Sequence, residues 1–168
     1  MTQIITNSMP MGVPGDLSRS HAIVESYNQN VTTPVGKYGV PVKLGAVADT
    51  ISPITTGGTS ASVVGFLVRD FPSQGGSLSN EAFGVAVPPL SGPLSVMKEG
   101  YMIVKNNAGT PAKEGVVYMR IGTPTADKPL GGIEAVADGA DTVVLVDAQF
   151  MGAADADGNA EIRYRVGN

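Results

Sequence analysis

The chain has one imidazole to offer. His21 lies just after Ser18 and Ser20, with Asp16 close upstream, so the residue types of a Ser-His-Asp triad fall within one short stretch. A triad needs hydroxyl, imidazole and carboxylate to converge, the histidine taking the serine's proton. Neighbours on an extended segment do not converge in that way, and no strand-to-helix elbow presents either serine. His21 is therefore expected at the surface or at a strand edge. Zinc is a poorer fit still. There is no cysteine, and a single histidine would leave carboxylates to supply the remaining ligands. "DADGNAE" (155–161) carries part of the pattern of a calcium loop. With Gly158 at the sixth position, however, Ala153 falls at the first and Tyr164 at the twelfth, where an EF-hand requires carboxylates. Asp, Gly and Asn are also the residues that tolerate hairpin turns, which is the expected reading. Paired carboxylates across a cleft hydrolyse glycosides, but Asp138, Asp141 and Asp155 stand in turn-like stretches and no Trp offers a sugar platform. Glycine pairs at 57–58, 75–76 and 131–132 belong to neither a phosphate loop nor a dinucleotide fingerprint. The expectation is no catalytic, cofactor-binding or metal-ligating residue, and no enzyme.

Composition points the same way. The chain has 168 residues, enough for one domain with a substantial core. Its 22 Gly and 12 Pro make up about a fifth of it and favour turns over long helices. Charged residues are 15 %, against roughly 25 % in ordinary globular domains. A surface so poor in charge is covered by Thr, Ser, Asn, Gly and Ala, or is partly hidden against partners. The net charge is -4 and the cations are scattered, which argues against nucleic acid and anionic membranes as partners. The opening "MTQIITNSMPMG" lacks a basic region and an apolar run, and no stretch approaches the ~20 apolar residues of a membrane span. A soluble product made in the cytoplasm is expected.

Short apolar runs alternate with turn signals along the chain. Strands are expected at 22–27, 39–47, 63–71, 83–90, 92–97, 101–105, 116–121, 133–137, 142–150 and 160–166, with a loop or ribbon at 55–62. In the last run Ile162, Tyr164 and Val166 share one face, while Glu161, Arg163 and Arg165 share the other. No persuasive helix interrupts the series. The expected fold is all-β: a single-domain, jelly-roll-like sandwich or barrel (21–168) preceded by an extended N-terminal arm (1–20). "GVPGDLSR" (12–19) reads as the turn that ends this arm. Pro14 presets the turn, Gly15 accepts unusual dihedrals, and the Asp16 carboxylate accepts local backbone N–H groups.

The ordered series "VVYMRI", "GGIEA", "DTVVLVDAQFMG" and "ADADGNAEIRY", with "GVPGDLSR" near the start and "GFLVRDF" and "YMIVK" between, resembles the structural cement proteins of tailed bacteriophages. The resemblance covers most of residues 10 to 166 and is weaker over 50–62 and 72–95. It implies a jelly-roll-like fold, no cofactor, and a place on the exterior of the virion, bound to the major capsid protein as a homo-oligomer (dimer or trimer). On this reading Pro14, Gly15, Asp16, Leu17 and Arg19 are the expected capsid contacts. The alternative is a receptor- or glycan-binding module of a tail or fibre, which would favour exposed aromatic residues.

Overall fold

Strand pairing in this protein is arranged around its longest strand. The computed structural model describes residues 11–69 and 87–166. In chain order the strands are β1 (Ile23–Gln29), β2 (Pro41–Leu44), β3 (Thr50–Pro53), β4 (Gly65–Leu67), β5 (Pro93–Lys105), β6 (Val116–Arg120), β7 (Ile133–Glu134), β8 (Thr142–Phe150) and β9 (Asn159–Arg165). Helical structure among the described residues amounts to two short 3₁₀ turns, at Ser60–Ser62 and Gly139–Asp141. The all-β expectation is met.

One sheet runs β1-β3-β2-β4-β5-β9-β8-β6-β7, and β1 also pairs with β5. That extra pairing closes β1, β3, β2, β4 and β5 into a barrel, with β9, β8, β6 and β7 as an extension. Along one edge of β5, Val96 and Met97 pair with β4, and Glu99 to Lys105 pair with β9. Along the other edge, Pro93 to Glu99 pair with β1, and Met102 bridges to Leu17.

Two apolar cores follow from the alternation of side chains across these strands. Val35, Tyr38, Val42, Ile51, Leu67, Leu94 and Val96 fill the barrel. Phe66, Met97, Met102, Val104, Val117, Met119, Leu145, Phe150, Ile162 and Tyr164 fill the space against the extension. The consecutive residues Phe66 and Leu67 point into different cores, as do Val96 and Met97. A strand with both faces covered reads as a continuous apolar run, which explains why "VVGFLV" shows no alternation. Phe66 meets Tyr164 edge to face at 5.0 Å. Burial, with a smaller contribution from Asp147, pushes the Tyr164 hydroxyl well above the ordinary tyrosine range.

Some expected elements differ in extent. The stretches 92–97 and 101–105 form one strand, because Lys98–Gly100 stays extended and paired. β3 was not among the expected strands: "TISP" gains its pairing from β2 and from the end of β1. The run 133–137 shrinks to Ile133–Glu134, and 39–47 to Pro41–Leu44. Of 83–90, residues 83–86 lie outside the described residues, and 87–90 form no strand. In β9, Ile162 and Tyr164 are buried as expected, whereas Val166 lies beyond the strand and is exposed.

Arg120 is the largest fully buried side chain. It lies on the face of β6 opposite Val117 and Met119, beneath the loop that connects β6 to β8. Its Nε reaches Glu134 Oε1 at 2.5 Å, and its Nη2 reaches Glu134 Oε2 at 3.0 Å and Asp138 Oδ2 at 2.6 Å. Lys128 Nζ joins the same Asp138 oxygen at 3.2 Å. Side-chain exposure is 2 % for Arg120 and 0 % for Glu134, so this pair is shielded from water. Hydrogen bonds to Glu134 and then Asp138 raise the Arg120 guanidinium above its already high range. Replacing Arg120 by Met strands the Glu134 charge in a dry site. The expected loss is about 3–5 kcal/mol, read as a lower midpoint in denaturant unfolding. The double variant Arg120→Met, Glu134→Leu should recover most of that loss, because no charge is then left unpaired.

Candidate interaction surface

The residues that suggested a catalytic triad do not form one. His21 is exposed, while Ser18 Oγ donates to Glu161 at 2.6 Å. The Asp16 carboxylate accepts from the Val13 backbone N–H at 3.1 Å and faces Arg69 at 3.5 Å. His21 borders a polar groove of about 480 Å³ shared with Glu99, Asp147, Gln149, Arg163 and Arg165, where Arg163 donates to Gln149 at 2.7 Å. Among the described residues, no group of three or more His, Asp or Glu is placed to hold a metal ion. Asp155 acts within its own turn, accepting from the N–H groups of Asp157 at 3.0 Å and Asn159 at 2.8 Å. These bonds, led by that from Asn159, hold its carboxyl below the ordinary range.

"GVPGDLSR" is fastened to the body of the fold. Asp16 N–H closes the Pro14–Gly15 turn onto Val13 C=O at 3.0 Å, and Gly15 has φ +96°. A Cβ at Gly15 would lie 2.7 Å from the Tyr38 Cβ, and one at Gly39 would lie 2.6 Å from the Gly15 nitrogen. The two glycines therefore let these backbones touch. Gly15 donates to Ile103 C=O, Ile103 donates back to Asp16 C=O, and Ser18 donates to Tyr101 C=O. Arg19 grips Glu161 at 3.1 and 2.8 Å while its guanidinium lies 3.9 Å above the Tyr101 ring. Of the five residues expected at a capsid contact, Gly15 is buried, Pro14 and Asp16 are half-buried, and Leu17 and Arg19 are exposed.

Exposed apolar residues were not anticipated. Val31 follows the end of β1 and Leu90 precedes β5, while Leu44 and Val47 stand at the β2–β3 hairpin, beside the start of β3. Val31, Leu44, Val47 and Leu90 are each more than half exposed. Leu44, Ala46 and Val47 line a shallow concavity of about 490 Å³ with Asn30, Thr32 and Thr33. Gln29, at the end of β1, donates from its side chain to Val35 C=O and Pro89 C=O. A sequence signal was present. "QNVTTP", "KLGAVADT" and "PPLSGP" each place an isolated large apolar residue inside a turn-forming stretch, where burial is hard to arrange.

The family model of the XM1 gp53 minor capsid protein matches residues 1–164 of the chain. Among solved structures, a chain of "The capsid of Myoviridae Phage XM1" aligns with a TM-score of 0.68 at 18 % identity. The alignment covers 98 % of this chain and 97 % of that one. At that identity the likeness establishes a shared fold. No curated protein sequence matches.

The attachment of residues 11–19 should be acid-labile. The hydrogen bond from Arg19, helped by Ser18, keeps the Glu161 carboxyl below its ordinary range. A lowered folded-state value contributes stability that is present above the ordinary carboxylate range and lost as pH falls through and below it. Going from about pH 6 to about pH 3 should reduce the amide-exchange protection of Ser18 and Ile103, after correction for intrinsic rates, before the barrel core opens. Arg19→Ala should produce the same local loosening at neutral pH.

Proposed function

The chain belongs to the XM1 gp53 minor capsid protein family, and from that premise we propose that it binds the outside of a phage shell built by a major capsid protein and cements it. The observation that carries this reading is the family match over nearly the whole chain, with its fold shared along almost the full length of a chain from a phage capsid. The side chains support it as well. Among the described residues, no group of three or more His, Asp or Glu is placed to hold a metal ion, while Val31, Leu44, Val47 and Leu90 stand more than half exposed.

Cementing requires no reaction. A protein that binds the assembled lattice and not its dissociated subunits shifts the equilibrium toward the intact particle by mass action. The β2–β3 hairpin carrying Leu44 and Val47 is the proposed contact, because apolar burial is non-directional and tolerates the slightly different surroundings of neighbouring lattice positions. Leu17 and Arg19 add a second, smaller contact. The segment that holds Pro14, Gly15 and Asp16 against the barrel fixes where these side chains stand. A dimer or trimer would engage several subunits together and gain effective concentration without new contacts.

Purified protein should sediment with bare capsids, and those capsids should withstand higher temperatures than undecorated ones. The variant Leu44→Asp, Val47→Asp removes apolar contact without touching either core. It should melt as the wild type does and bind at least about tenfold more weakly, the equivalent of 1.4 kcal/mol. Absence of the wild-type protein from the capsid pellet would refute the reading.

A further inference from the structure

Among the described residues, the first half of β1 is an open sheet edge. Barrel closure uses only its end, where Asn28 and Gln29 pair with Thr50 and Ile51 of β3. Upstream, Ile23 to Tyr27 pair with β5 on one side, and no strand among the described residues pairs with them on the other. The phase of the ladder follows from its neighbours. Gln29 N–H donates to Gly92 C=O on the β5 side, and Asn28 N–H donates outward to Asp49 C=O. Alternation then directs the N–H and C=O groups of Glu25 and Tyr27 to β5, and those of Val24 and Ser26 to solvent. Ile23 and Val24 are 49 % and 41 % exposed, so apolar side chains accompany the unpaired backbone groups. Free edges of this kind are templates for another strand.

We propose that this edge receives an extended segment of the shell protein by strand addition, with a Lys or Arg of that segment opposite Glu25. The inference rests on the cement reading and names the element that engages the partner. Charge selects the occupant. If two copies paired β1 to β1 about a twofold axis with both Val24 and Ser26 bonded, Val24 would face Ser26 of the other copy. Glu25 would then lie directly opposite Glu25. Like charges directly opposite are destabilising, and this non-hydrogen-bonded position brings side chains closest. Glu25 is 51 % exposed even with Lys98 at 3.6 Å and the Tyr27 hydroxyl at 2.8 Å, which leaves room for a partner cation. Position favours the same occupant. A strand added here extends the line of β3 past the β2–β3 hairpin, so it meets the apolar hairpin proposed as the shell contact.

Ser26→Pro tests this directly. It deletes an outward N–H and leaves the β5 ladder intact, whereas Ser26→Ala keeps the N–H and serves as control. Each purified variant is checked for melting temperature and oligomeric state, then sedimented with bare capsids. Ser26→Pro should bind at least about tenfold more weakly than Ser26→Ala, with unchanged oligomeric state. Glu25→Lys, which needs no backbone change, should also weaken binding, and more so at low salt. Undiminished binding by a folded Ser26→Pro protein, or by Glu25→Lys should the proline variant fail to fold, overturns strand addition and leaves the cement reading standing. Failure of the wild type to sediment overturns both. Loss of self-association with capsid binding intact would assign the edge to a second copy and overturn the proposal.

Discussion

A thirteen-residue strand that must be dry on both faces and bonded along both edges constrains everything around it. β5 cannot exist alone in water, since it exposes apolar side chains above and below the sheet. The barrel covers one face through Leu94 and Val96, and the β9–β8–β6 extension covers the other through Met97, Met102 and Val104. Its edges are satisfied from four places in the sequence: Gly15–Ser18, β1, β4 and β9. The N-terminal segment is therefore part of the sheet, and the turn at Pro14–Gly15 brings it into register beside Ile103. Where β1 outruns the barrel, one of its edges has no partner strand among the described residues.

Among the described residues, two charged side chains, Arg120 and Glu134, are buried. Arg120 gathers Glu134, Asp138 and, through Asp138, Lys128, and so secures the long β6–β8 connection in a place where water cannot. A buried ion pair is weak evidence of net stability compared with apolar replacement, but it specifies one arrangement because any other leaves a charge unpaired. Glu161 does for the N-terminal segment what Glu134 does for the loop, at lower stakes because water still reaches Arg19.

Local chemistry was the legible part of the sequence. The Asp155–Gly158 turn, the Pro14–Gly15 turn and the apolar run of β8 could be read because each depends on residues within a few positions of one another. The Ser18–Glu161 and Arg19–Glu161 contacts span more than 140 positions, and no periodicity announces them. Arg120 sits in an apolar strand with nothing nearby in sequence to signal its partner, since Glu134 arrives only once β7 pairs with β6. β3 is four residues of modest strand propensity whose structure comes from its neighbours. The open edge of β1 was the least visible feature, because the sequence of a strand does not record which of its sides lacks a partner.

The two surfaces left unsatisfied differ in kind, and the difference bears on how a lattice-binding protein would work. An apolar hairpin surface holds by area and accepts small misalignments, so it would suit neighbouring shell positions that are alike without being identical. A strand edge demands register, because a slip of one residue turns every added side chain to the opposite face. Area without register would let the protein adhere to partly assembled subunits as readily as to the finished shell, and equal affinity for both shifts no equilibrium. Register without area would give selectivity with little adhesion, since a short row of backbone hydrogen bonds only exchanges bonds to water for bonds to protein. On the proposed reading, the two surfaces would together meet the thermodynamic requirement of a cement: tight binding that depends on the geometry of the completed lattice.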